Sequence, residues 1–318
     1  MTTVKFGAQT TALEVVKGLN ANLDGKVVIV TGATSGIGVE TSRALAAINA
    51  HVFITARDMN RGEEVVADIK KTTGNNKVEV LELDLTSLQS VRTFVDQFRA
   101  RKLPIHILIC NAGIMACPYA KTKDGFESQF GVNHLAHFLL VTSLLPELKA
   151  GKSARVIMVS SVLNKTQGIN FDDINWEKNY DKWLAYGQSK TANILFALQL
   201  NKLYRSEGIQ AFALNPGAIM TNLQNVLPIE EQRAMGYFKE DGTLADFFKT
   251  VEQGASTSVY AALAPEVDSS DGEYLEDCAI TRVVNENKMD FRGRSEHSTD
   301  MKAAERLWAL SENMVANK

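Results

Sequence analysis

The chain has 318 residues, 45% of them hydrophobic and 22% charged, and 34 basic against 37 acidic side chains give a net charge of −3. This is an ordinary globular composition without the basic excess typical of nucleic-acid-binding proteins, so no nucleic-acid partner is predicted. Cys110, Cys117 and Cys278 are odd in number and widely spaced, which predicts reduced thiols rather than a disulfide framework or a zinc site. No apolar run has the length of a membrane span, and a cytoplasmic protein is predicted, with an organelle address or peripheral membrane association left open.

From residue 26 onward, strand-like segments alternate with segments of helical periodicity. The first, 26–31, is a short β-branched run of the kind expected of a strand buried on both faces. The other strand-like segments cover 51–55, 77–83, 105–110, 155–160 and 210–215. The helical segments cover 39–49, 61–71, 87–100, 126–148 and 185–204. Six such units with short connections predict an α/β fold, with a doubly wound, mostly parallel Rossmann sheet and helices on both faces.

The domain organisation follows from the absence of a linker-like or repetitive tract. Residues 25–318 are predicted to form one domain, after an N-terminal extension of residues 1–24. Residues 221–250 interrupt the rhythm, since they mix apolar side chains with charges and two glycines. A segment inserted after the sixth strand is well placed to cover a ligand at the carboxyl edge of the sheet. The alternative is a pair of peripheral helices.

A glycine-rich turn lies between the first strand and the first helix. It is composed of Gly32, Ala33, Thr34, Ser35, Gly36, Ile37 and Gly38, in the order GxxxGxG. Glycines allow a tight turn and a close approach of the backbone to phosphate, and the following helix directs free N–H groups at the anion. At this position in a doubly wound pattern, the turn predicts a dinucleotide site.

The end of the second strand bears on the choice between NAD and NADP. An acidic residue there would hydrogen-bond to the ribose and repel a 2′-phosphate. Here Ala56 stands at that place and Arg57 follows it, and a guanidinium suits a phosphate. NADP(H) is therefore the predicted cofactor. Asp58 is the complication, because it could pair with Arg57 or turn away.

Three motifs together carry a family resemblance. The glycine turn, Asn111-Ala112-Gly113, and Tyr186 with Lys190 four residues later resemble the signatures of the short-chain dehydrogenase/reductase family. The runs NAGIMACP, NHLAHFLL, YGQSKTANILF and GEYLEDC are similar to its retinol-dehydrogenase-like branch. That branch includes the oxidoreductase domain of WW-domain proteins and the Tic32-like proteins of chloroplast envelopes. The resemblance covers nearly the whole chain.

The resemblance also assigns expected roles. It implies that Asp84 and Leu85 border the adenine and that the Asn111–Gly113 turn supports the sheet and lies along the cofactor ribose. It implies that the loop of Asn215, Pro216 and Gly217, followed by Thr221, holds the nicotinamide carboxamide. The catalytic group that it implies consists of Asn133, Ser161, Tyr186 and Lys190. Ser161 and Tyr186 are 25 positions apart, which is longer than the common family spacing, and this leaves open whether Ser160 or Ser161 faces the substrate.

These residues suit the interconversion of a carbonyl and an alcohol. Tyr186 and Lys190 lie on one face of a helix, and a neighbouring cation would lower the pKa of a phenol from its ordinary value of about 10 towards neutrality. Tyr186 would then act as general acid or base. Ser161 would stabilise charge on the substrate oxygen, as an oxyanion-hole donor does. By resemblance, Lys190 would also hold the nicotinamide ribose, and Asn133 would support a proton path to Lys190 through water.

Competing interpretations remain at this stage. The favoured one is a reductase or dehydrogenase of a lipophilic small molecule, because Met115, Leu163, Trp183 and Met220 lie near the motifs. The alternative is an NADPH-sensing binding or regulatory protein with little turnover, and sugar-nucleotide epimerisation ranks below both. No metal site is predicted, because His134 and His137 have no evident third ligand. The helices at 126–148 and 185–204 resemble those that pair in family dimers, so a homodimer or homotetramer is expected.

Overall fold

The computed structural model describes residues 5–268, 274–281, 283, 292–316 and 318. The six predicted strands are confirmed to within two residues at each end. The strands of the described residues are β1 (Val27–Val30), β2 (His51–Ala56), β3 (Val78–Glu82), β4 (Ile107–Cys110), β5 (Ala154–Val159), β6 (Ile209–Asn215), β7 (Ala218–Ile219), β8 (Phe248–Lys249), β9 (Tyr274–Glu276) and β10 (Ala279–Thr281). The short β7 and β8 pair with each other, apart from the main sheet.

The main sheet has the order β3-β2-β1-β4-β5-β6-β9-β10. All neighbours are parallel except β9 and β10, which form an antiparallel hairpin. The chain runs outward from β1 to β3 and then returns to add β4 on the other side of β1. The switch point of this doubly wound sheet therefore lies between the carboxyl ends of β1 and β4, where ligands bind in such folds.

Helices cover both faces of the sheet. They are α1 (Ala12–Gly18), α2 (Ile37–Ala46), α3 (Met59–Thr73), α4 (Leu88–Arg99), α5 (Ser128–Phe130), α6 (Ala136–Ser143), α7 (Leu145–Ala150), α8 (Lys182–Tyr204), α9 (Ile229–Ala234), α10 (Val251–Gly254), α11 (Ser256–Leu263) and α12 (Met301–Ala316). One hydrophobic core joins the sheet to α4, α6, α8 and α12, and a second joins the opposite face to α1, α2, α3 and α11. Val15 and Val16 of α1 are buried in the second core, so the predicted N-terminal extension packs onto the domain from α1 onward.

The helical segment predicted over 126–148 is confirmed over residues 128–150, but it is divided into shorter helices for local reasons. Glu127 pairs with Lys121 in an isolated bridge, and its carboxylate accepts hydrogen bonds from the N–H groups of Gln129 and Phe130, which starts α5 at Ser128. A π-helical turn then spans Gly131–Leu135 and leads into α6. Pro146 has no N–H to continue a helix, so α7 begins anew in the first-turn position that proline tolerates.

The C-terminal helix α12 covers α8 on the side away from the sheet. The ring of Trp308 stacks on Phe196 of α8 at 5.5 Å between centroids and meets Phe138 of α6 edge-on at 5.0 Å. Every residue of α8 from Ala185 to Asn201 is buried within the chain itself. The two helices expected to pair with a second copy are thus already packed against α12. Separately, no helix among the described residues combines the length and apolarity needed to cross a membrane.

Candidate active site

The glycine-rich turn connects β1 to α2 at the switch point of the sheet. Gly32 has a φ of 64°, and a Cβ there would lie 2.7 Å from the Cα of Ala112, so this position requires glycine. A Cβ on Gly38 would lie 2.6 Å from the carbonyl oxygen of Gly32. Gly36 caps α2 without a side-chain hydrogen bond, which leaves the first N–H groups of the helix to an anion. The turn therefore fits the pyrophosphate of a dinucleotide.

The other side of the turn is closed by a distant part of the chain. Thr34, Ser35 and Ile37 are half-buried in the turn. A Cβ on Gly36 would lie 3.2 Å from the Cγ2 of Thr221, so Thr221 lies directly against the glycine turn. The hydroxyl of Thr221 accepts a hydrogen bond from the N–H of Leu223 and so starts a short 3-10 helix over Asn222–Val226. An anion at the turn would be held between the start of α2 and the start of this second helix.

The Asn111–Gly113 turn follows β4, next to the glycine turn. The side-chain amide of Asn111 donates to the carbonyl oxygens of Thr31 at 2.9 Å and Gly32 at 3.2 Å. The backbone N–H groups of Asn111 and Ala112 donate to the Thr31 hydroxyl at 2.9 and 3.0 Å. These bonds join the carboxyl ends of β1 and β4, as expected for a residue that supports the sheet.

Arg57 is exposed at the carboxyl end of β2, where a 2′-phosphate would lie in a dinucleotide complex. Asp58 turns away from it: its carboxylate accepts a hydrogen bond from the N–H of Arg61 at 3.2 Å and caps α3. Of the two possibilities that the sequence left open, pairing of Asp58 with Arg57 or a turn away from it, the structure shows the second, because Asp58 caps α3. The guanidinium of Arg57 is not drawn aside by its neighbour.

Asp84 and Leu85 follow β3 at the same edge of the sheet. The carboxylate of Asp84 accepts hydrogen bonds from the backbone and hydroxyl of Thr86 and from Lys123 at 2.8 Å. Burial raises the pKa of Asp84, but the bonds from Lys123 and Thr86 outweigh burial, and the pKa is lowered overall. The side chain of Leu85 is buried in the core. The polar side chain of the pair is thus committed to the turn that leads into α4.

Asn133 lies inside the π-helical turn. Its amide oxygen accepts from the N–H of Ile114 at 2.9 Å, and its amide nitrogen donates to the Ile114 carbonyl and to the Ser189 hydroxyl, each at 2.9 Å. A Cβ on Gly113 would lie 3.1 Å from the Asn133 oxygen and 3.5 Å from the Lys190 amine. The π turn, of a kind frequent at functional sites, brings Asn133 to the point where the Asn111–Gly113 turn meets α8. Because the family resemblance implies that the Asn111–Gly113 turn lies along the cofactor ribose, it is called the ribose turn below.

Tyr186, Lys190 and Ser161 come together at the carboxyl edge of β5. Tyr186 and Lys190 lie one turn apart on α8, and the amine of Lys190 is 5.5 Å from the centre of the Tyr186 ring. That amine donates to the carbonyl of Val159 at 3.0 Å. The Ser161 side chain lies close enough to Tyr186 to lower the pKa of its phenol. Tyr186 is only 4% exposed and Lys190 3%, so this group is shielded from solvent in the chain alone.

Ser160 and Ser161 face different ways. The hydroxyl of Ser160 is buried and donates to the carbonyl of Lys190 at 2.8 Å, so it fixes β5 to α8. Ser161 is half-buried, and its hydroxyl accepts from the N–H of Leu163 while it contacts Tyr186. Of the two serines, Ser161 is therefore the one beside the phenol.

The long connection between Ser161 and Tyr186 is held against α8 along its length. Gln188 bridges it, accepting from the N–H of Asn170 at 2.9 Å and donating to the carbonyl of Ile174 at 3.0 Å. A Cβ on Gly187 would lie 2.1 Å from the Thr166 hydroxyl, so glycine lets the connection approach the helix closely. The long connection therefore still returns the chain from Ser161 to α8 next to Tyr186.

The loop after β6 is fixed by a chain of buried polar side chains. The N–H of Gly217 donates to the Asn215 side chain at 3.1 Å, and the Asn215 amide donates to the Glu276 carboxylate of β9 at 2.8 Å. Gly217 has a φ of 95°, and a Cβ there would meet the side chain of Lys249, which pairs with Asp277 at 2.5 Å. Pro216, between Asn215 and Gly217, is held in place by these contacts. Sequence reasoning assigned no role to Lys249 or to Glu276, although Glu276 lies in the GEYLEDC run, because both act through contacts with residues distant in the chain.

Part of the segment 221–250 packs on the candidate catalytic group, while Leu244 and Phe247 of the same segment are exposed. Leu227, 3% exposed, packs with Tyr186, Met115 and Ala116 in a small apolar cluster, and the half-buried members of that cluster are Leu163, Trp183, Leu223 and Tyr237. Met220 is not in this cluster. Glu231 of α9 ties the segment to the first turn of α8, since it accepts from Lys182 at 2.6 Å and from the Trp183 ring at 3.2 Å.

Burial governs the titration of the group. It raises the pKa of Tyr186 well above its ordinary value, against a lowering contribution from the Ser161 hydrogen bond, and nearby Tyr237 raises it further. Burial lowers the pKa of Lys190 to about 8. The expected lowering of the Tyr186 pKa by Lys190 is therefore not found in the chain alone. Desolvation of the phenol is the largest influence on its pKa.

The two histidines of the π-turn region pack inside the protein. The Nε2 of His134 contacts the Ser311 hydroxyl of α12, and the Nε2 of His137 contacts the Thr31 hydroxyl, both at 2.9 Å. Within the described residues, no group of three or more His, Cys, Asp or Glu side chains could hold a metal ion. The three cysteines are free thiols, and Cys110 and Cys278 are buried.

A glycine turn at the switch point of a doubly wound sheet, with a tyrosine and a lysine one helical turn apart beside it, defines a class of dinucleotide-dependent oxidoreductases. Residues 26–232 match the family profile described as short chain dehydrogenase. The chain belongs to this family. Its members use a nicotinamide cofactor, and the protein is accordingly an oxidoreductase that acts on CH–OH and carbonyl groups.

The similar proteins point to one branch of the family. The chain is 41% identical to retinol dehydrogenase 12 of Homo sapiens over 292 residues, which is 92% of this chain and 87% of that protein. It is 38% identical to the short-chain dehydrogenase/reductase prx1 of Penicillium roqueforti over 314 residues, 97% of this chain and 91% of the other. These relatives confirm the resemblance to the retinol-dehydrogenase-like branch.

Solved structures agree with the fold. The crystal structure of an uncharacterised protein from Mycobacterium paratuberculosis matches with a TM-score of 0.73 and 35% identity, over 97% of this chain and 98% of that one. The RhlG/NADP complex of Pseudomonas aeruginosa matches with a TM-score of 0.61 and 23% identity, over 79% and 94% of the two chains, and supports the fold alone.

Proposed function

We propose that this protein interconverts a carbonyl and an alcohol on a lipophilic small molecule, with NADP(H) as cofactor and Tyr186 as the general acid or base. The observation that carries the proposal is the burial of Tyr186 together with Lys190, one helical turn away and 5.5 Å from its ring centre, next to the Asn111–Gly113 turn. Hydride transfer to or from carbon is the chemistry that the nicotinamide supplies when it is bound. The proton on oxygen is left to the protein.

Four side chains would transfer this proton, stabilise the developing charge and position the ribose. In the reducing direction, the Tyr186 hydroxyl gives its proton to the substrate oxygen as charge develops there. The Ser161 hydroxyl donates a hydrogen bond to the same oxygen and lowers the energy of the transition state. Lys190 stabilises the phenolate that Tyr186 leaves behind, and its own donors hold the ribose. Asn133 keeps the ribose turn against α8 through Ile114, next to the Lys190 amine.

Two features support NADP(H) as the cofactor and a lipophilic molecule as the substrate. For NADP(H), the support is the exposed guanidinium of Arg57 at the end of β2, with Asp58 used in a helix cap. For a lipophilic substrate, it is the cluster around Tyr186, in which Met115, Leu163 and Leu227 present apolar groups. Such a lining favours an uncharged substrate, since a charge would lose its hydration there without a counter-ion.

The test is NADPH oxidation with a panel of uncharged carbonyl compounds (retinal-like, steroid, quinone and aliphatic aldehyde) by the wild-type protein and by Tyr186→Phe. We expect turnover that requires both a particular carbonyl and Tyr186, with a rate lower by a factor of a hundred or more in the variant. NADPH binding without turnover on any carbonyl would instead favour the cofactor-sensing alternative. Arg57→Asp tests the cofactor separately: it should weaken NADPH binding much more than NADH binding, and equal affinities in the wild type would contradict the choice.

The oligomeric state needs a revised proposal. A homodimer or homotetramer through the helices at 126–148 and 185–204 would have to displace α12, which is held by Trp308 and by the contact of His134 with Ser311. We therefore propose that any self-association uses a different surface. Molar mass by light scattering, with cross-links mapped by mass spectrometry, tests this. Intermolecular cross-links between two copies of α8 would refute it.

A further inference from the structure

His137 occupies a place where three parts of the candidate cofactor site meet. It lies on α6, is completely buried and reaches the end of β1, where its Nε2 is 2.9 Å from the Thr31 hydroxyl. Its Nδ1 is 3.1 Å from the backbone carbonyl of Asn133 in the π turn. The Thr31 hydroxyl is also the acceptor for the N–H groups of Asn111 and Ala112. One imidazole thus connects the π turn, the glycine turn and the ribose turn.

The hydrogen atoms of this network can be assigned by counting donors and acceptors. A carbonyl only accepts, so the Nδ1 of His137 must carry the proton in its contact with Asn133. Burial lowers the pKa of His137 to about 4, against a raising contribution from the Asn133 bond, with nearby Lys190 lowering it further. The ring is therefore neutral near pH 7, and its Nε2 has a lone pair.

The Thr31 hydroxyl must then donate to His137. Its oxygen receives two N–H groups, from Asn111 and Ala112, which use both of its lone pairs. Its single proton has two possible acceptors, the His137 Nε2 at 2.9 Å and the Ile109 carbonyl at 3.4 Å, and the shorter contact is the better bond. With that bond, the Thr31 hydroxyl makes three hydrogen bonds and has no free capacity. Without His137, the proton of the Thr31 hydroxyl would have only the Ile109 carbonyl, at 3.4 Å, of these two acceptors.

We propose that His137 is a positioning residue, which holds the ribose turn and the end of β1 in register with the π turn that carries Asn133. It touches neither the substrate nor the reacting atoms. Instead it fixes Thr31, which in turn fixes the N–H groups of Asn111 and Ala112. The inference rests on the proposed use of a dinucleotide at this site, and it adds a requirement for a neutral hydrogen-bonding side chain at position 137.

The neighbouring histidine offers a matched control. His134 is three residues earlier, is equally buried, and contacts Ser311 of α12 and the rings of Phe130 and Phe196 rather than the cofactor turns. Leucine at either position removes a buried imidazole. The two variants should therefore lose similar stability but differ in their effect on the cofactor site, which separates positioning from general destabilisation.

The experiment measures the Kd of NADPH by fluorescence, the free energy of unfolding by urea titration, and the KM for NADPH and kcat where turnover is found. For His137→Leu we expect a Kd raised tenfold or more, and for His134→Leu a Kd within twofold of the wild type. His137→Gln should recover much of the affinity, because an amide can donate to Asn133 and accept from Thr31. Thr31→Val should add little to His137→Leu, because both changes break one network.

The outcomes distinguish this inference from the proposed function. An unchanged Kd in His137→Leu, or an equal rise in both leucine variants, would overturn the positioning role. If His137→Leu does not fold, His137→Gln with Thr31→Val decides, since a glutamine variant no better than the valine variant would also overturn it. Failure of the wild type to bind NADPH would instead refute the proposed function. Binding without turnover leaves the test of His137 intact, because the Kd does not depend on activity.

Discussion

The buried amine of Lys190 predicts a conflict between stability and activity. Its pKa is lowered from 10.5 to about 8 by burial, which at about 1.4 kcal/mol for each pH unit makes the charged form cost about 3 kcal/mol in the folded chain. Lys190→Met removes the charge and keeps an unbranched apolar side chain of similar length. It also loses a hydrogen bond to the Val159 carbonyl, worth about 1 kcal/mol, but that carbonyl keeps its bond from Asn193 at 3.2 Å. We expect a net gain of about 2 kcal/mol in the free energy of unfolding near pH 7, with loss of turnover.

The pH dependence of that gain follows from the sign of the shift. Below pH 8, Lys190 is charged in both states and the whole penalty falls on the folded wild type. Between pH 8 and 10.5 the folded protein binds fewer protons than the unfolded chain, so the wild type gains stability as the pH rises. The advantage of the methionine variant should therefore be complete at pH 7 and absent near pH 10.5.

Urea titration followed by tryptophan fluorescence, without cofactor, measures this at both pH values. Lys202→Met is the matched control, because Lys202 lies on the same helix with its side chain 50% exposed, and its replacement should change the free energy of unfolding by less than about 0.5 kcal/mol. A Lys190→Met protein that is less stable than the wild type at pH 7 would refute the reasoning. So would an advantage that persists unchanged to pH 10.5.

Three further substitutions test other contacts. Gly187→Ala would place its Cβ 2.1 Å from the Thr166 hydroxyl. It should therefore lower the free energy of unfolding by about 1–3 kcal/mol, measured by urea titration, and reduce kcat, measured in steady-state assays. Wild-type values for both would contradict the close approach of the connection to α8. Trp308→Ala should cost about 3–5 kcal/mol by removing the ring stacked on Phe196, and a change in melting temperature no larger than that of a surface variant would show that α12 is not docked there. Glu231→Gln should raise the KM for the carbonyl substrate while the Kd of NADPH stays unchanged, and an unaltered KM would mean that the tie to α8 does not shape the pocket.

Much of the fold could be predicted because its signals are local. Strands β1, β4 and β5 are short apolar runs buried at every position, which is the pattern required of strands covered on both faces. Part of the glycine turn is equally local, since Gly32 has a φ of 64° and a Cβ on Gly38 would lie 2.6 Å from the Gly32 carbonyl oxygen. The division of the helical segment at 126–148 could not be predicted, because its causes are not visible in the apolar pattern. Its apolar periodicity carried no information about the Glu127 cap and the π turn that divide it.

The rest depends on contacts between residues far apart in the chain. Residues Ala304, Leu307 and Trp308 form part of an apolar stripe with helical spacing, so α12 itself could have been predicted, but nothing in that stripe indicates that it docks on α8. Likewise, the apolar residues of 221–250 were compatible with a cover or with a peripheral pair of helices. The burial of Leu227 against Tyr186 distinguishes these, and that contact is a property of the folded chain only.

The electrostatics of the candidate site show that the spacing of two residues on a helix does not predict their protonation states. A separation of four positions places Tyr186 and Lys190 on one face of α8, and the amine does lie 5.5 Å from the ring centre. The same rule led to the expectation that the cation lowers the pKa of the phenol. In the folded chain both groups are instead shifted towards their neutral forms, because both side chains are buried. Spacing determines which side chains meet, whereas burial, which comes from distant parts of the chain, determines which protonation states they prefer.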